Sequence, residues 1–308
     1  MSFPHALMAA SLFVAHGNGK PYFRGRKGGI FMHALQEQFD EQGYVILKGV
    51  FTPGVLDAAR AELAVLVDRE AEKLVAAGRV SDPFLSASFE TRLFRLYENN
   101  LDIAPKSFRP ELHLAGLFDV FFSSRVLDLV SQFLGTEIRL YPNYTVRPKF
   151  PEWEGTEVLW HQDGGYTAGG GDARGVRDLK MVNVWAPIVP ATTHNGCMEF
   201  APGTHRLGVV PHEKRDYYLE IAADRLSRYV GETVAIELEP GDAVLFHNLL
   251  FHRGLPNLSG GIRWSCDWRY QDANQPTMRK EKGHLARSRK SPEVVVASAA
   301  DWVGRRFE

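Results

Sequence analysis

The tripeptide His161-Gln162-Asp163 places an imidazole and a carboxylate two residues apart, a spacing that suits metal binding. The run 158–162 is β-prone, and residues i and i+2 of a strand project from the same face of a sheet. If the strand extends to Asp163, both side chains reach one point in space. They then supply two of the three protein ligands of a facial site that leaves positions open on Fe(II). Such tripeptides also arise by chance, so the hypothesis needs a third ligand.

The third ligand is expected in the segment 239–270, which contains His247 and His252. Spacing alone does not choose between these two histidines. Arg263 follows eleven residues after His252, at the start of the next β-prone run. Because a guanidinium donates two parallel hydrogen bonds to a carboxylate, an arginine there is suited to hold one end of a dicarboxylic acid. Histidine, turn and arginine together are more specific than the tripeptide alone.

The elements that must position these residues divide the chain into a helical first part and a strand-rich second part. Thr52-Pro53 predicts the start of a helix that runs to about residue 77 with an apolar stripe on one face. A second helical region is predicted at about 111–134, where Gly135 favours its end. Short β-prone runs then alternate with Gly, Pro and Asn at 137–146, 158–162, 179–188, 233–238, 243–247 and 264–270. This order predicts a mainly β chain, with two sheets in a barrel-like core and flanking helices packed outside.

Length and composition favour a single soluble domain over residues 1–308, with a core at about 39–270 and peripheral extensions at 1–30 and 275–308. The formal net charge of −1 gives no global field that would attract nucleic acid or an anionic membrane. Two cysteines exclude a disulfide framework and a multi-cysteine zinc module, and they suit a cytoplasmic protein. No apolar run approaches the ~20 residues of a membrane span. The apolar run 6–15 lacks the preceding basic residues of a signal peptide.

Four motifs in this chain resemble the phytanoyl-CoA dioxygenase family of 2-oxoglutarate-dependent oxygenases, over about residues 39–270. They are GYVILKGVF at 43–51, His161-Gln162-Asp163, NGCMEFAPGTH at 195–205, and the run from Gly241-Asp242 through His252 and Asn257 to Arg263. The resemblance implies a double-stranded β-helix, a jelly-roll or cupin-like core, which agrees with the strand pattern. It also implies an enzyme that uses Fe(II), 2-oxoglutarate and O2 to hydroxylate a C–H bond of a small organic molecule, with succinate and CO2 as co-products.

By the family pattern, His161, Asp163 and His252 bind iron, Arg263 holds the distal carboxylate of 2-oxoglutarate, and His247 is structural. Similar enzymes that halogenate have a small residue in place of the carboxylate ligand, so Asp163 argues against halogenation. A zinc hydrolase with the same three ligands is one alternative, disfavoured by Arg263 and by the lack of a clear general base. A jelly-roll binding protein without turnover is another, disfavoured by the complete ligand set. The oligomeric state stays open.

Three further residues near the motifs are assigned to the cofactor side of the site: Gln162, Asn183 and Trp185. Gln162 and Trp185 suit a packing role as well as a cofactor contact. Asn183 lies two residues before Trp185 on a predicted strand and is expected to face the cavity.

The substrate is expected to contact Tyr166, Arg147 and Arg269, although Arg147 is equally suited to a solvated surface. The glycine-rich loop 164–178 directly follows the predicted ligands, and its glycines favour neither a rigid strand nor a helix. We predict that this loop is a mobile lid over the site, the alternative being a surface excursion.

Overall fold

The structure is a computed structural model that describes residues 26–167, 173–216 and 218–306. The helices in this part of the chain are α1 (Arg26–Gln42), α2 (Pro53–Ala76), α3 (Phe89–Tyr97), α4 (Phe118–Phe121), α5 (Ser124–Leu134), α6 (Asp163–Thr167), α7 (Ala173–Arg177), α8 (Ala223–Tyr229) and α9 (Ala299–Gly304). The strands are β1 (Tyr44–Leu47), β2 (Ile138–Leu140), β3 (Thr145–Lys149), β4 (Val158–His161), β5 (Met181–Pro187), β6 (Met198–Ala201), β7 (His212–Lys214), β8 (Leu219–Ile221), β9 (Val234–Ile236), β10 (Ala243–His247), β11 (Phe251–Gly254), β12 (Arg263–Asp272) and β13 (His284–Arg287). Of the described helices, none combines the length and the apolar character that a membrane span requires.

The first predicted helix is confirmed, whereas the second is divided. Helix α2 starts directly after Thr52, with a proline in its first turn, and it buries its apolar stripe. In the region 111–134, two short 3-10 turns and α4 come before α5. The Ser123 hydroxyl accepts a hydrogen bond from the backbone N–H of Val126 at 3.4 Å, and this cap begins α5 as a new helix. Gly135, with a φ of 79°, ends α5 as predicted.

Two antiparallel sheets contain the predicted strands. Seven strands form the larger sheet in the order β1-β10-β5-β12-β2-β13, with β3 also paired to β12. Four strands form the smaller sheet in the order β4-β11-β6-β9, and β7 pairs with β8. Backbone pairing among the described residues does not join the sheets into a closed barrel. The predicted combination of sheets with helices beside them is confirmed. Helices occupy most of the described chain before residue 135, so the chain is less β-rich than expected.

Alternating side chains of β10 face two different hydrophobic layers. Ala243 and Leu245 pack in a cluster that is shared with the helices. Val244 and Phe246 pack in a second cluster with Phe200 of the smaller sheet. Because successive side chains of a strand point to opposite faces, the larger sheet separates a helical layer from an inter-sheet layer. The inter-sheet layer contains the candidate site.

The segment after residue 275 is part of the core and not the peripheral extension that we expected. Strand β13 pairs with β2 at the end of the larger sheet. Trp302 of α9 is fully buried, and its indole N–H donates to the carbonyl oxygen of Leu112 at 3.0 Å. Of the predicted extension at 1–30, residues 1–25 lie outside the described part of the chain.

Candidate active site

His161 of β4 and His252 of β11 are direct partners across two neighbouring antiparallel strands. Their ring centroids are 4.1 Å apart, and both side chains are buried. Each Nδ1 atom lies 2.8 Å from a backbone carbonyl oxygen, that of Leu159 for His161 and that of Leu250 for His252. Because a carbonyl oxygen only accepts hydrogen bonds, each Nδ1 carries the proton. Each Nε2 therefore keeps a lone pair that can bind a metal ion.

Asp163 joins the two histidines, but not from the strand that the sequence predicted. Strand β4 ends at His161, and Asp163 is the first residue of α6. One ligand atom from each of Asp163, His161 and His252 lies within 4.8 Å of the other two. The structure therefore brings the three predicted ligands together, while the predicted strand geometry at Asp163 is wrong.

The chain leaves β4 at Gln162, which is held by two neighbouring loops. Its backbone N–H donates to Nε2 of His212 at 3.0 Å. Its side-chain amide donates to the carbonyl oxygens of Gly208 and Leu249 at 2.7 and 2.8 Å, and accepts from the backbone N–H of Val210 at 2.9 Å. These bonds use both ends of the amide, so Gln162 has a packing role in place of the predicted cofactor contact. His212, which the sequence did not mark as part of the site, thus helps to turn the chain toward Asp163.

Both oxygens of the Asp163 carboxylate have protein partners. Arg269 Nη2 forms an ion pair with Oδ1, and the Asn183 amide donates to Oδ2 at 2.8 Å. Burial by itself raises the pKa of Asp163, but Arg269 and the two histidines more than offset it, and the pKa lies well below its usual range. Burial, together with His161, lowers the pKa of His252 to about 3. At neutral pH the carboxylate is ionised and this imidazole is neutral, and these forms bind metal ions.

One face of β12 forms much of the cavity wall beside these ligands. Arg263, Ser265, Asp267 and Arg269 alternate along the strand and share this face. The two arginines and Asp267 line the same cavity as the three ligands. Asp267 Oδ2 lies 3.1 Å from Nε of Arg147 on β3. We did not predict Asp267, although its period-two spacing from both arginines is a signal in the sequence that indicates it.

Arg263 is deeply placed in this cavity, with 5% of its surface exposed. Its Cζ atom lies 5.4 Å from the centre of the Trp185 ring, and its Nη1 donates to the Ser265 hydroxyl. Its Nε is buried and has no hydrogen-bond partner among the described residues. Burial lowers the pKa of Arg263 to about 10, so the guanidinium remains charged at neutral pH. A buried cation with a spare N–H fits the predicted role of holding a carboxylate.

His247 lies apart from the ligand cluster. Its ring centroid is 5.1 Å from that of His205, and its Nδ1 accepts from the backbone N–H of Leu249 at 3.1 Å. Burial, together with His205, lowers the pKa of His247 to about 4. Of the two candidate histidines, the structure therefore brings His252 to the site.

An outer chamber adjoins the cavity and is lined by the three predicted substrate residues, Tyr166, Arg147 and Arg269. The Tyr166 ring centroid is 5.4 Å from that of His161, and its hydroxyl accepts from the backbone N–H of Leu219 at 2.9 Å. Arg269, which we predicted to contact the substrate, also forms an ion pair with the Asp163 carboxylate.

The predicted lid at 164–178 contains most of α6 and all of α7, so its glycines did not prevent helix formation. A Cβ atom on Gly164 would lie 2.5 Å from Cδ2 of Leu249, and one on Gly165 would lie 2.5 Å from Cε1 of His212. Close packing therefore requires glycine at both positions. Residues 168–172, in the middle of the predicted lid, lie outside the described residues.

Residues 39–265 match the phytanoyl-CoA dioxygenase (PhyH) family. The chain belongs to this family. It is a 2-oxoglutarate-dependent non-haem iron dioxygenase, with Fe(II) as its cofactor and 2-oxoglutarate as its co-substrate. The 1-deoxypentalenic acid 11-beta-hydroxylase of Streptomyces arenae is 26% identical to this PhyH-family chain over 261 residues, which cover 78% of the chain and 81% of the hydroxylase.

Two solved structures show the same fold as this PhyH-family chain. The non-heme monooxygenase ThoJ, in its apo form, is 22% identical with a TM-score of 0.56, and the match covers 88% of each chain. The non-heme alpha-ketoglutarate-dependent carbocyclase SnoK from nogalamycin biosynthesis is 19% identical with a TM-score of 0.52, and the match covers 78% of this chain and 83% of SnoK.

Proposed function

We propose that this PhyH-family enzyme hydroxylates a C–H bond of a small organic molecule, with 2-oxoglutarate as co-substrate and succinate and CO2 as co-products. The observation that carries the proposal is the convergence of His161, Asp163, His252 and Arg263 on one cavity. The relative from Streptomyces arenae is named as a hydroxylase of an organic acid, which supports this reaction class.

The fold supports the same proposal. We assign the seven-stranded and four-stranded sheets to the two halves of a double-stranded β-helix, with the site between them. In support, two ligands lie on β4 and β11 of the smaller sheet, while Arg263 lies on β12 of the larger one. A site between two sheets receives side chains from both.

In this proposal, His161 Nε2, His252 Nε2 and one Asp163 oxygen hold Fe(II). When bound, the iron, together with O2 and 2-oxoglutarate, supplies the oxidising chemistry for the C–H bond. Arg269 and Asn183 hold the Asp163 carboxylate in one orientation, because each binds a different oxygen.

Arg263 binds the distal carboxylate of 2-oxoglutarate in this assignment. The Ser265 hydroxyl and the face of Trp185 fix the guanidinium, so little side-chain freedom is lost when the co-substrate binds. Trp185 also places an apolar ring in the cavity wall, which limits the access of water to the reacting groups.

The test is an assay of the enzyme with Fe(II), ascorbate, 2-oxoglutarate and a library of small metabolites, in which succinate and product masses are measured. We expect a library member to stimulate succinate release and to gain one oxygen atom. Zn(II) in place of Fe(II) serves as the control and is expected to give no succinate. Product formed with Zn(II) and without 2-oxoglutarate would establish a hydrolase instead. Tight metal binding with no 2-oxoglutarate turnover under any condition would establish a binding protein.

A further inference from the structure

The outer chamber, which borders the ligands His161 and Asp163, is lined by five cationic side chains. Asp163 is the one carboxylate among the described residues that line it. The cationic lining residues come from separate segments of the chain and are Lys106, Arg109, Arg147, Arg269 and Arg279.

Only part of this positive charge is matched by carboxylates of the protein. Arg147 lies beside Asp267, and Arg269 is paired with Asp163. Within the described chain, neither Arg109 nor Arg279 forms an ion pair with a carboxylate, whereas other surface arginines do. Binding of Fe(II) and 2-oxoglutarate does not remove the excess positive charge, because the two charges of the metal ion offset the two charges of the dicarboxylate.

Two arginines that line the chamber each carry a buried N–H group with no hydrogen-bond partner in the described part of the chain. Nη1 of Arg269 is buried and makes no hydrogen bond within the described chain, although the side chain lines the chamber and only 8% of the residue is exposed. Nε of Arg279 is likewise buried without a hydrogen-bond partner among the described residues, while the guanidinium lies beside the Tyr141 hydroxyl. An unpaired buried donor on a charged group is costly, so these atoms are suited to a ligand that accepts hydrogen bonds.

The cations lie close enough to repel one another. Burial, together with Arg147, Arg269 and Arg279, lowers the pKa of Arg109 to about 10, against a smaller opposing effect of Asp267. A bound oxyanion relieves this repulsion and accepts several charge-assisted hydrogen bonds at once.

The chamber is distinct from the place assigned to 2-oxoglutarate. Arg263 lines the inner cavity and not the outer chamber, whereas Arg109 and Arg279 line the outer chamber and not the inner cavity. His161 and Asp163 border both spaces. A molecule held in the outer chamber therefore borders His161 and Asp163 from a space that Arg263 does not line.

We propose that the substrate carries an oxyanionic group, a carboxylate or a phosphate, which Arg109, Arg279 and the free Nη1 of Arg269 bind in the outer chamber. The anchored group leaves the uncharged part of the substrate beside His161 and Asp163, where a C–H bond is oxidised. This inference rests on the proposed function for the identity of the bound molecule as substrate, but the anion site itself is measurable without turnover.

The experiment compares benzoate, phenyl phosphate and benzamide as probes, by calorimetric titration of the enzyme loaded anaerobically with Fe(II) and saturating 2-oxoglutarate. We expect at least one anion to bind roughly tenfold or more tightly than neutral benzamide, as charge-assisted hydrogen bonds require. The comparison of benzoate with phenyl phosphate decides between a carboxylate and a phosphate.

Arg109→Gln and Arg279→Gln are each expected to weaken anion binding by roughly tenfold and to leave benzamide binding unchanged. Lys280→Gln, which removes the exposed cation next to Arg279, is the matched control and is expected to change neither. Thermal unfolding and 2-oxoglutarate affinity of the variants show whether they fold as the wild type does.

Equal affinity for benzamide and both anions, or unchanged anion binding in both arginine variants, overturns the inference. If the wild-type protein fails to bind Fe(II) or 2-oxoglutarate, the proposed function is refuted. The same titrations on the metal-free protein then still decide whether the anion site exists.

Discussion

Arg269 forms a buried ion pair with Asp163, and the Asn183 amide occupies the other oxygen of the same carboxylate. Groups that orient a metal ligand in this way contribute to metal affinity without touching the metal. We predict that Arg269→Gln raises the dissociation constant for Fe(II) by about 10–100-fold, measured by anaerobic titration. Arg287→Gln, which removes a surface ion pair with Asp128, is the control and should leave the affinity unchanged. Wild-type affinity in Arg269→Gln would show that the pair does not support the site.

The choice between His252 and His247 gives a direct test of the ligand assignment. His252→Ala removes an Nε2 that faces the cluster, and we expect it to abolish stoichiometric Fe(II) binding and hydroxylation. His247→Ala removes a buried histidine outside the cluster, so the folded fraction is expected to bind one Fe(II). Metal content of the purified, folded protein measures both. The assignment fails if the two variants exchange these outcomes.

Asp163 supplies the carboxylate of the proposed site. We expect Asp163→Ala to abolish hydroxylation, because it removes a ligand and leaves Arg269 as an unpaired buried cation. Product formation by mass spectrometry is the measurement. Turnover at the wild-type rate in this variant would contradict the ligand role.

Arg263 should determine affinity for the co-substrate and not for the metal. Arg263→Lys keeps a charge but loses the fork of donors that binds a carboxylate through two hydrogen bonds. We expect the KM for 2-oxoglutarate to rise by roughly 10–100-fold, since hydrogen bonds to charged groups contribute about 1.5–3 kcal/mol each. Fe(II) affinity serves as the internal control and should stay within a factor of two or so of the wild type. A large loss of Fe(II) affinity with an unchanged KM would assign Arg263 to the metal site instead.

Lys149 makes the stability of the fold depend on pH. It is 3% exposed, its Nζ donates to the carbonyl oxygen of Thr156 at 3.2 Å, and burial and then Arg263 lower its pKa to about 7. In the unfolded chain, Lys149 keeps its proton up to about pH 10.5. Between pH 7 and pH 10.5 the unfolded chain therefore binds more protons than the folded chain, and the free energy of unfolding rises with pH. The destabilisation by the buried ammonium group of Lys149 is greatest below pH 7 and disappears above about pH 10.5.

Lys149→Met should therefore stabilise the protein more at pH 6 than at pH 9, with a difference between the two of roughly 2 kcal/mol in urea unfolding. Lys280→Met, at an exposed position, is the control and should show no such difference. An equal effect of Lys149→Met at both pH values would mean that Lys149 is not a depressed titrating group.

The carboxy-terminal segment should contribute strongly to stability. Trp302 is fully buried, and its ring stacks on that of His113 with the ring centroids 4.0 Å apart. We expect Trp302→Ala to lower the free energy of unfolding by about 3–5 kcal/mol, the usual cost of removing a buried aromatic side chain. Val303→Ala, next in the chain and 44% exposed, should change it by less than about 0.5 kcal/mol. Similar effects of the two substitutions would show that this segment is peripheral to the core.

The sequence by itself indicated the chemistry and the broad fold. Residue type and spacing indicated His161, Asp163 and Arg263 and left His247 and His252 as candidates, between which the family resemblance favoured His252. Apolar periodicity and turn residues located α2 and the main strands. These signals are local. Side chains on one face of a strand recur every second residue, and those on one face of a helix recur every third or fourth residue. These spacings do not depend on the rest of the chain.

Only the tertiary structure decided which side chains meet. Asp163 lies at the start of α6 and not on the predicted strand, the Gln162 amide binds backbone groups of neighbouring loops, and Arg269 pairs with Asp163. It also brought Arg109 and Arg279, which are far apart in the chain, to one chamber, and it placed β13 in the main sheet. The physical reason is that these contacts depend on the register of distant strands and on loop paths, which are set by the packing of the whole core and not by any short run of residues.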